Sequence, residues 1–217
     1  MSLLDVIRSR RAVRAFQPQA VSREMLENIL EAARWAPSGV NMQPWRVMVV
    51  TGKTLYALSE ALLAAQENPQ GPDYQYYPES WATPYSARRM QLGQAIYATY
   101  GTMKRSERGR TQIRRNLQFF GAPAAMFVML DKSMAQGAWL DCGMFVQSVM
   151  LAAESLGLQT CPQVSIAEYP DVVRKTLRLS DEILLCSIAV GWADWLDPLN
   201  TLPRSRAGID EFAIFFD

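Results

Sequence analysis

Residues 32–51 read AARWAPSGVNMQPWRVMVVT, and three kinds of local pattern meet in these twenty positions. Upstream of the stretch, Leu26, Ile29, Leu30 and Ala33 fall at i, i+3, i+4 and i+7, the apolar stripe of an amphipathic helix. Ser22 is placed to start that helix. It should stop before Pro37, because the residue preceding a proline avoids the helical region. Residues 37–44, PSGVNMQP, have the turn chemistry of a loop, with Gly39 allowing the backbone to approach a ligand closely. Residues 45–51, WRVMVVT, then have the β-branched content and length of a strand.

Working outward, Ser2 and Asp5 have capping-box spacing for a short first helix. A helix is expected from Lys53 to about Glu67, followed by a long ordered loop or lid, NPQGPDYQYYPESWAT, at 68–83. Thr83-Pro84 reads as a cap and first helical position, opening a helix to about Lys104. A charged helix is expected over 108–119 and a strand over 123–130, PAAMFVML. Residues 138–156 are apolar almost all round, which predicts a buried helix ended by Gly157. Residues 183–191, ILLCSIAVG, read as a fully buried strand, and FAIFF at 212–216 as a terminal strand candidate. Strands alternating with helices indicate an α/β or α+β sandwich in one domain.

The 217 residues are 49% hydrophobic, enough to build a substantial core. Lys+Arg 22 against Asp+Glu 21 gives a net charge of +1, which argues against a general nucleic-acid binder. Cys142, Cys161 and Cys186 are far apart, as suits a reducing compartment rather than a disulfide framework. No apolar run approaches transmembrane length, so the expected location is cytoplasmic, with no membrane partner. There is no histidine. That removes Ser-His-Asp and Cys-His catalysis and the usual neutral-pH proton shuttle, and shifts the chemistry toward a bound cofactor.

Three segments carry that chemistry. RSRRAVRAF, residues 8–16, packs Arg8, Arg10, Arg11 and Arg14 into seven positions. Such guanidinium groups repel one another unless an anion lies between them; the alternative is a solvated charged turn. In residues 32–45, Asn41 and Gln43 donate and accept at once, which suits a heterocycle edge of alternating donors and acceptors, as an isoalloxazine has; the alternative is a polar connection. LPRSRAG, residues 202–208, brings Arg204 and Arg206, which gain interest only because a second basic cluster lies near the N-terminus.

Together these segments resemble the nitroreductase family over nearly the whole chain. RSRRAVRAF is similar to the family's R-R-S-V-R-x-F pattern, with Ala12 where serine is common. APSGVNMQPWRVMVV resembles its A-P-S-x-x-N-x-Q-P-W segment and following strand, while ESLGLQTCPQVS and ILLCSIAVGWAD resemble later family segments. YPESWATPYSARR and FFGAP look closest to the nitrobenzoate-reductase-like branch. The resemblance implies an intertwined homodimer, a mixed central sheet flanked by helices, and two FMN sites at the subunit interface. It implies that Arg10, Arg11, Ala12 and Arg14 contact FMN phosphate, ribityl and ring oxygens. Pro37, Ser38, Gly39 and Asn41 would reach the same flavin from the other subunit. Gln163, Val164 and Ser165 would pass near its N5 side, and Arg204 and Arg206 would hold the phosphate. Independently, an all-round apolar helix and a bare apolar terminal strand both need covering, which a second subunit would supply; the alternative is that both are ordinary core of the same chain.

The implied reaction is ping-pong transfer from NAD(P)H through FMN to a small electron-poor aromatic acceptor, with no obligatory side-chain acid. Arg14 is the candidate for stabilising charge at the flavin N1/O2 side. Arg8, Arg88 and Arg89 either attract an aromatic carboxylate or are plain helix-surface charge, the commoner case. Tyr74, Tyr76, Tyr77, Trp81 and Tyr85 form either an acceptor-facing wall or loop packing. The rivals are another reaction on the same flavin scaffold, or a binding module for an anionic partner or nucleic acid with no enzymatic role.

Overall fold

The computed structural model describes residues 2–101 and 104–216. Ser2 caps α1 (Leu3–Ser9) through the expected box with Asp5. Ser22 caps α2 (Arg23–Ala33), which buries Leu26, Ile29 and Ala33 and ends before Pro37. β1 (Trp45–Thr51) and α3 (Gly52–Ala64) follow. Next come α4 (Tyr85–Ala98), α5 (Arg105–Leu117), β2 (Ala124–Leu130) and α6 (Gly137–Ser155). The chain continues through β3 (Gln159–Gln163), α7 (Pro170–Leu177) and β4 (Ile183–Gly191).

The four strands form one sheet in the order β1-β2-β4-β3. Among the described residues every strand pairing is antiparallel, and the parallel component is one isolated bridge between Ala12 and Thr160. The central positions of β2 and β4 explain their unbroken apolar sequences, since both faces are covered. Along β2 the side chains alternate sides. Ala125, Phe127 and Met129 join Leu58, Leu62, Leu117 and Val173 on the face of α3, α5 and α7. Ala124, Met126, Val128 and Leu130 join Ile29, Phe145 and Val149 on the face of α2 and α6. The register slips between Val128 and Met129, leaving Leu185 of β4 without a partner opposite. Its freed carbonyl accepts the Tyr74 hydroxyl, which fastens the 68–83 loop to the sheet.

Four expectations need correction. Pro84 is the residue before α4 rather than its first position; the Thr83–Pro84 bond is cis and the helix ends at Ala98, not near 104. Residues 212–216 form no strand: a 3-10 turn at Ile209–Glu211 leads into exposed, irregular chain, because no sheet edge of the same chain reaches it. α6 is not covered all round. Leu140 is 74% exposed and Met144, one turn on, is exposed beside it. β3 and α7 were not foreseen. Pro162 inside β3 hides the strand pattern and is tolerated because β3 is an edge strand. No helix among the described residues is long and apolar enough to cross a membrane.

Candidate functional site

The arginine-rich segment leaves α1 in extended form and lies against the edge of the sheet. The Val13 N–H donates to the Thr160 carbonyl at 3.0 Å, and Val13 itself is fully buried, so its neighbours on either side are directed outward. From the other end of the chain, Asn200 locks the same segment in place. Its side-chain oxygen accepts the Arg14 N–H at 2.6 Å, while its amide donates to the carbonyls of Ala15 (2.8 Å) and Asp194 (2.7 Å). The Asn200 carbonyl accepts from the Arg11 guanidinium, and Arg204 donates to the carbonyls of Arg8 and Arg10. Arg115 on α5 adds a bond to the Arg14 carbonyl at 2.8 Å and is itself held by Asp197 at 2.7 Å.

These contacts build a cleft of about 330 Å³ whose walls include Arg10, Arg11, Arg14, Arg204 and Arg206, with Leu92 of α4 at its border. Among the described residues none of the five arginines has an ion pair with a carboxylate. The crowding shows in the acidity of Arg10 and Arg204. Burial, then Arg206, lowers the proton affinity of Arg10; burial, then Arg11, Arg206 and Arg10, lowers that of Arg204. A larger groove, about 580 Å³, lies between α3 and the turn before β2, but its one charged lining residue is Glu60. Convergent charge therefore singles out the smaller cleft, as a receptor for an anion such as a phosphate.

The 37–44 segment forms a second feature, outside that cleft. Val40 (φ 46°), Asn41 (φ 58°) and Gln43 (φ 49°) all adopt the left-handed region, which is most costly for the β-branched Val40. Side chains help to hold this conformation: the Gly39 N–H donates to Asp141 Oδ2 at 3.2 Å, and the Gln43 N–H to Ser38 Oγ at 2.9 Å, beside the backbone bonds Asn41 N–H to Ser38 and Met42 N–H to Gly39. Val40 is 97% exposed, so its strain is not offset by packing within the chain. Strain held at an exposed, pinned loop is the pattern of a ligand or partner contact.

The nitroreductase family model matches residues 7–192. The chain belongs to the nitroreductase family. It is 37% identical to a 4-nitrobenzoate reductase of Pseudomonas putida over 97% of this chain and 93% of that one. A nitrobenzene nitroreductase of Ectopseudomonas oleovorans is 36% identical, with 97% and 95% covered. Among solved structures, the FMN and NADPH-dependent nitroreductase NfnB from Sphigopyxis sp. strain HMH superimposes with a TM-score of 0.95 at 38% identity, covering all of both chains. The FMN-dependent NfnB from Mycobacterium smegmatis, solved in complex with NADPH, has a TM-score of 0.94 at 32% identity, covering 99% of this chain and 97% of that one.

Within this nitroreductase-family fold, the residues singled out from sequence occupy three places. Arg10, Arg11, Ala12, Arg14, Arg204 and Arg206 line one cleft. Pro37, Ser38, Gly39 and Asn41 are not among its walls; Gly39 is tied to Asp141 in the first half of α6, whereas Met150, in its second half, borders the cleft. At 1.5 Å per residue those two positions are about 14 Å apart along the helix. Gln163 ends β3, and Val164 and Ser165 follow it. The Gln163 amide donates to the Asn116 carbonyl and side chain, each at 2.8 Å, and Ser165 donates to the same Asn116 side chain at 2.7 Å. Pro162 is the residue of that stretch that lines the cleft.

Asn200, Asp141, Arg115 and Asn116 were missed by sequence reasoning. Each acts through contacts between residues 47 to 186 positions apart, which no local pattern signals. The PLN turn before LPRSRAG held the one available cue, an asparagine in a 3-10 turn close to the basic pair.

Proposed function

We propose that this chain is an FMN-dependent oxidoreductase that passes electrons from NAD(P)H to nitroaromatic or other electron-poor acceptors, acting as a single-domain subunit of a cytoplasmic homodimer. The observation that carries the reading is the meeting of arginines from both ends of the chain around one cleft without carboxylate partners. That cluster suits the FMN phosphate, which would relieve the mutual repulsion of Arg10, Arg204 and Arg206. Bound FMN supplies the two-electron chemistry, with reduced nicotinamide and acceptor using it in alternation. Arg10, Arg11, Arg204 and Arg206 hold the phosphate end. Arg14, whose backbone is locked by Asn200 and Arg115, places positive charge for the ring oxygens.

What one chain leaves uncovered supports the dimer. Leu140 and Met144 on α6, Leu3, Leu4 and Ile7 on neighbouring α1, and the 212–216 tail are all exposed. Monomers rarely show so much apolar surface. The separation of the 37–41 loop from the arginine cleft supports its service to the flavin of a second subunit. Three buried free cysteines agree with a reducing compartment.

The purified protein is expected to carry flavin absorbance and to oxidise NADH or NADPH when a nitroaromatic is supplied. Arg10→Ala and Arg206→Ala should each weaken FMN retention by roughly tenfold or more, the worth of one charge-assisted hydrogen bond. Equal flavin affinity in both variants and the parent would reject the phosphate clamp; a colourless protein that FMN does not reconstitute would reject the function.

A further inference from the structure

We infer that Arg89 recognises the carboxylate of an aromatic acceptor, at the end of an aromatic ladder; this rests on the proposed function. The ladder starts on α6, where Trp139 meets Tyr74 edge-on at 4.6 Å between ring centroids. It continues through Tyr76 (6.4 Å), Tyr77 (4.7 Å) and Trp81 (5.5 Å). The Arg89 guanidinium lies over the Trp81 ring at 5.0 Å. Two anchors hold the base of the ladder: the Tyr74 hydroxyl on the Leu185 carbonyl, and Asp73, which accepts from Arg174 and from the Leu184 N–H. Beyond Tyr74 the rings turn outward, with Tyr76 and Tyr77 more than half exposed.

The placement is what makes this surface part of the site. Arg89 lies three residues before Leu92, which borders the arginine cleft. Helical residues three apart share a face, so Arg89 stands one turn along from that border. The Arg89 end of the ladder thus abuts the cleft assigned to the flavin phosphate.

Charge separates Arg89 from its neighbour. Arg88 is neutralised by Glu211 at 2.8 Å, a pair that ties α4 to the C-terminal segment. Among the described residues Arg89 has no carboxylate in ion-pair range; its partner is the indole of Trp81. Stacking on an aromatic face orders the flat guanidinium while leaving its N–H edge free, and that edge matches a carboxylate bidentately. A row of rings ending in a presented cation fits a flat, electron-poor ring bearing an anionic substituent. It offers nothing specific to a neutral nitroarene beyond stacking.

The test uses the flavin-loaded protein with 4-nitrobenzoate and nitrobenzene as acceptors. Arg89→Ala should lower the ratio of kcat/KM for 4-nitrobenzoate over nitrobenzene about tenfold, and Arg89→Glu further, with the effect shrinking at high salt. Arg88→Ala should move the ratio less than about twofold. Calorimetric titration with benzoate, which is not reduced, should show weakened binding in Arg89→Ala. The inference is overturned if the ratio and benzoate affinity hold steady in both Arg89 variants, or if both acceptors lose equally. It is also overturned if the change is confined to the KM of the reduced nicotinamide, which would give the guanidinium to a nucleotide phosphate. Parent protein inactive with either acceptor would reject the function and this inference together.

Discussion

Asn200 shows how much one buried side chain can organise. Its 1% exposure and bonds to Arg14, Ala15 and Asp194 make it the joint between the N-terminal and C-terminal halves of the arginine cleft. Asn200→Ala leaves buried backbone groups without partners, each costing about 1–3 kcal/mol. Chemical denaturation should show a loss of roughly 2–3 kcal/mol, together with weakened FMN retention. Stability lost with unaltered flavin affinity would mean that the joint does not shape the cleft. The cysteines predict a pH dependence. Burial pushes Cys142 and Cys161 up to about 11 and Cys186 up to about 12, above the ordinary 9.0. The folded state thus keeps the neutral thiols that the unfolded chain ionises near 9. Their stabilisation is complete below about pH 9 and is lost as pH climbs toward 11–12. Stability measured across that range should fall less steeply in Cys161→Ala than in the parent.

At the scale of elements, α6 has two duties on two faces. Phe145, Val149 and Ala153 fill the core against the sheet and α2. Leu140 and Met144 stand on the opposite side, exposed in one chain. An apolar stripe at a spacing of four, on a helix already packed on its other face, is suited to a helix of a second copy. Leu140→Lys with Met144→Glu should shift the protein to monomer in sedimentation, with secondary structure retained and flavin lost. A double variant that stays dimeric would place the interface elsewhere. α4 differs in kind, since none of its residues is buried. Its polar ties to the body include Arg88–Glu211, the Trp81–Arg89 stack and an Arg108 bond to the Tyr97 carbonyl at 3.3 Å, all at its surface, so it is a helix able to adjust to a ligand.

The whole molecule brings segments 10–14 and 199–206, from opposite ends of the chain, to one edge of the sheet beside β3, and leaves a separate strained loop at the first half of α6. With a two-fold partner, each site would combine the cleft of one copy with the loop of the other, so flavin affinity and dimerisation would be linked. Dilution into the range where dimers dissociate should release FMN, and added FMN should hold the dimer together to lower protein concentration. Flavin affinity independent of protein concentration across that transition would confine each site to a single chain.

Residues 22–51 show how far local pattern reaches: a capped amphipathic helix, a proline-bounded loop and β1 all stand where periodicity and turn chemistry put them. The buried strands β2 and β4 and the basic clusters at both ends were equally legible, because each signal lies within about ten residues. What only the tertiary structure decided was the meeting of distant groups: Asn200 on Arg14, Gly39 on Asp141, Gln163 on Asn116, and the outward side of α6. It also decided against a strand at 212–216, since a strand needs an edge to pair with and the chain offers none there. Period and propensity act over a few residues, whereas hydrogen-bond satisfaction and charge convergence depend on which remote segments the fold places side by side.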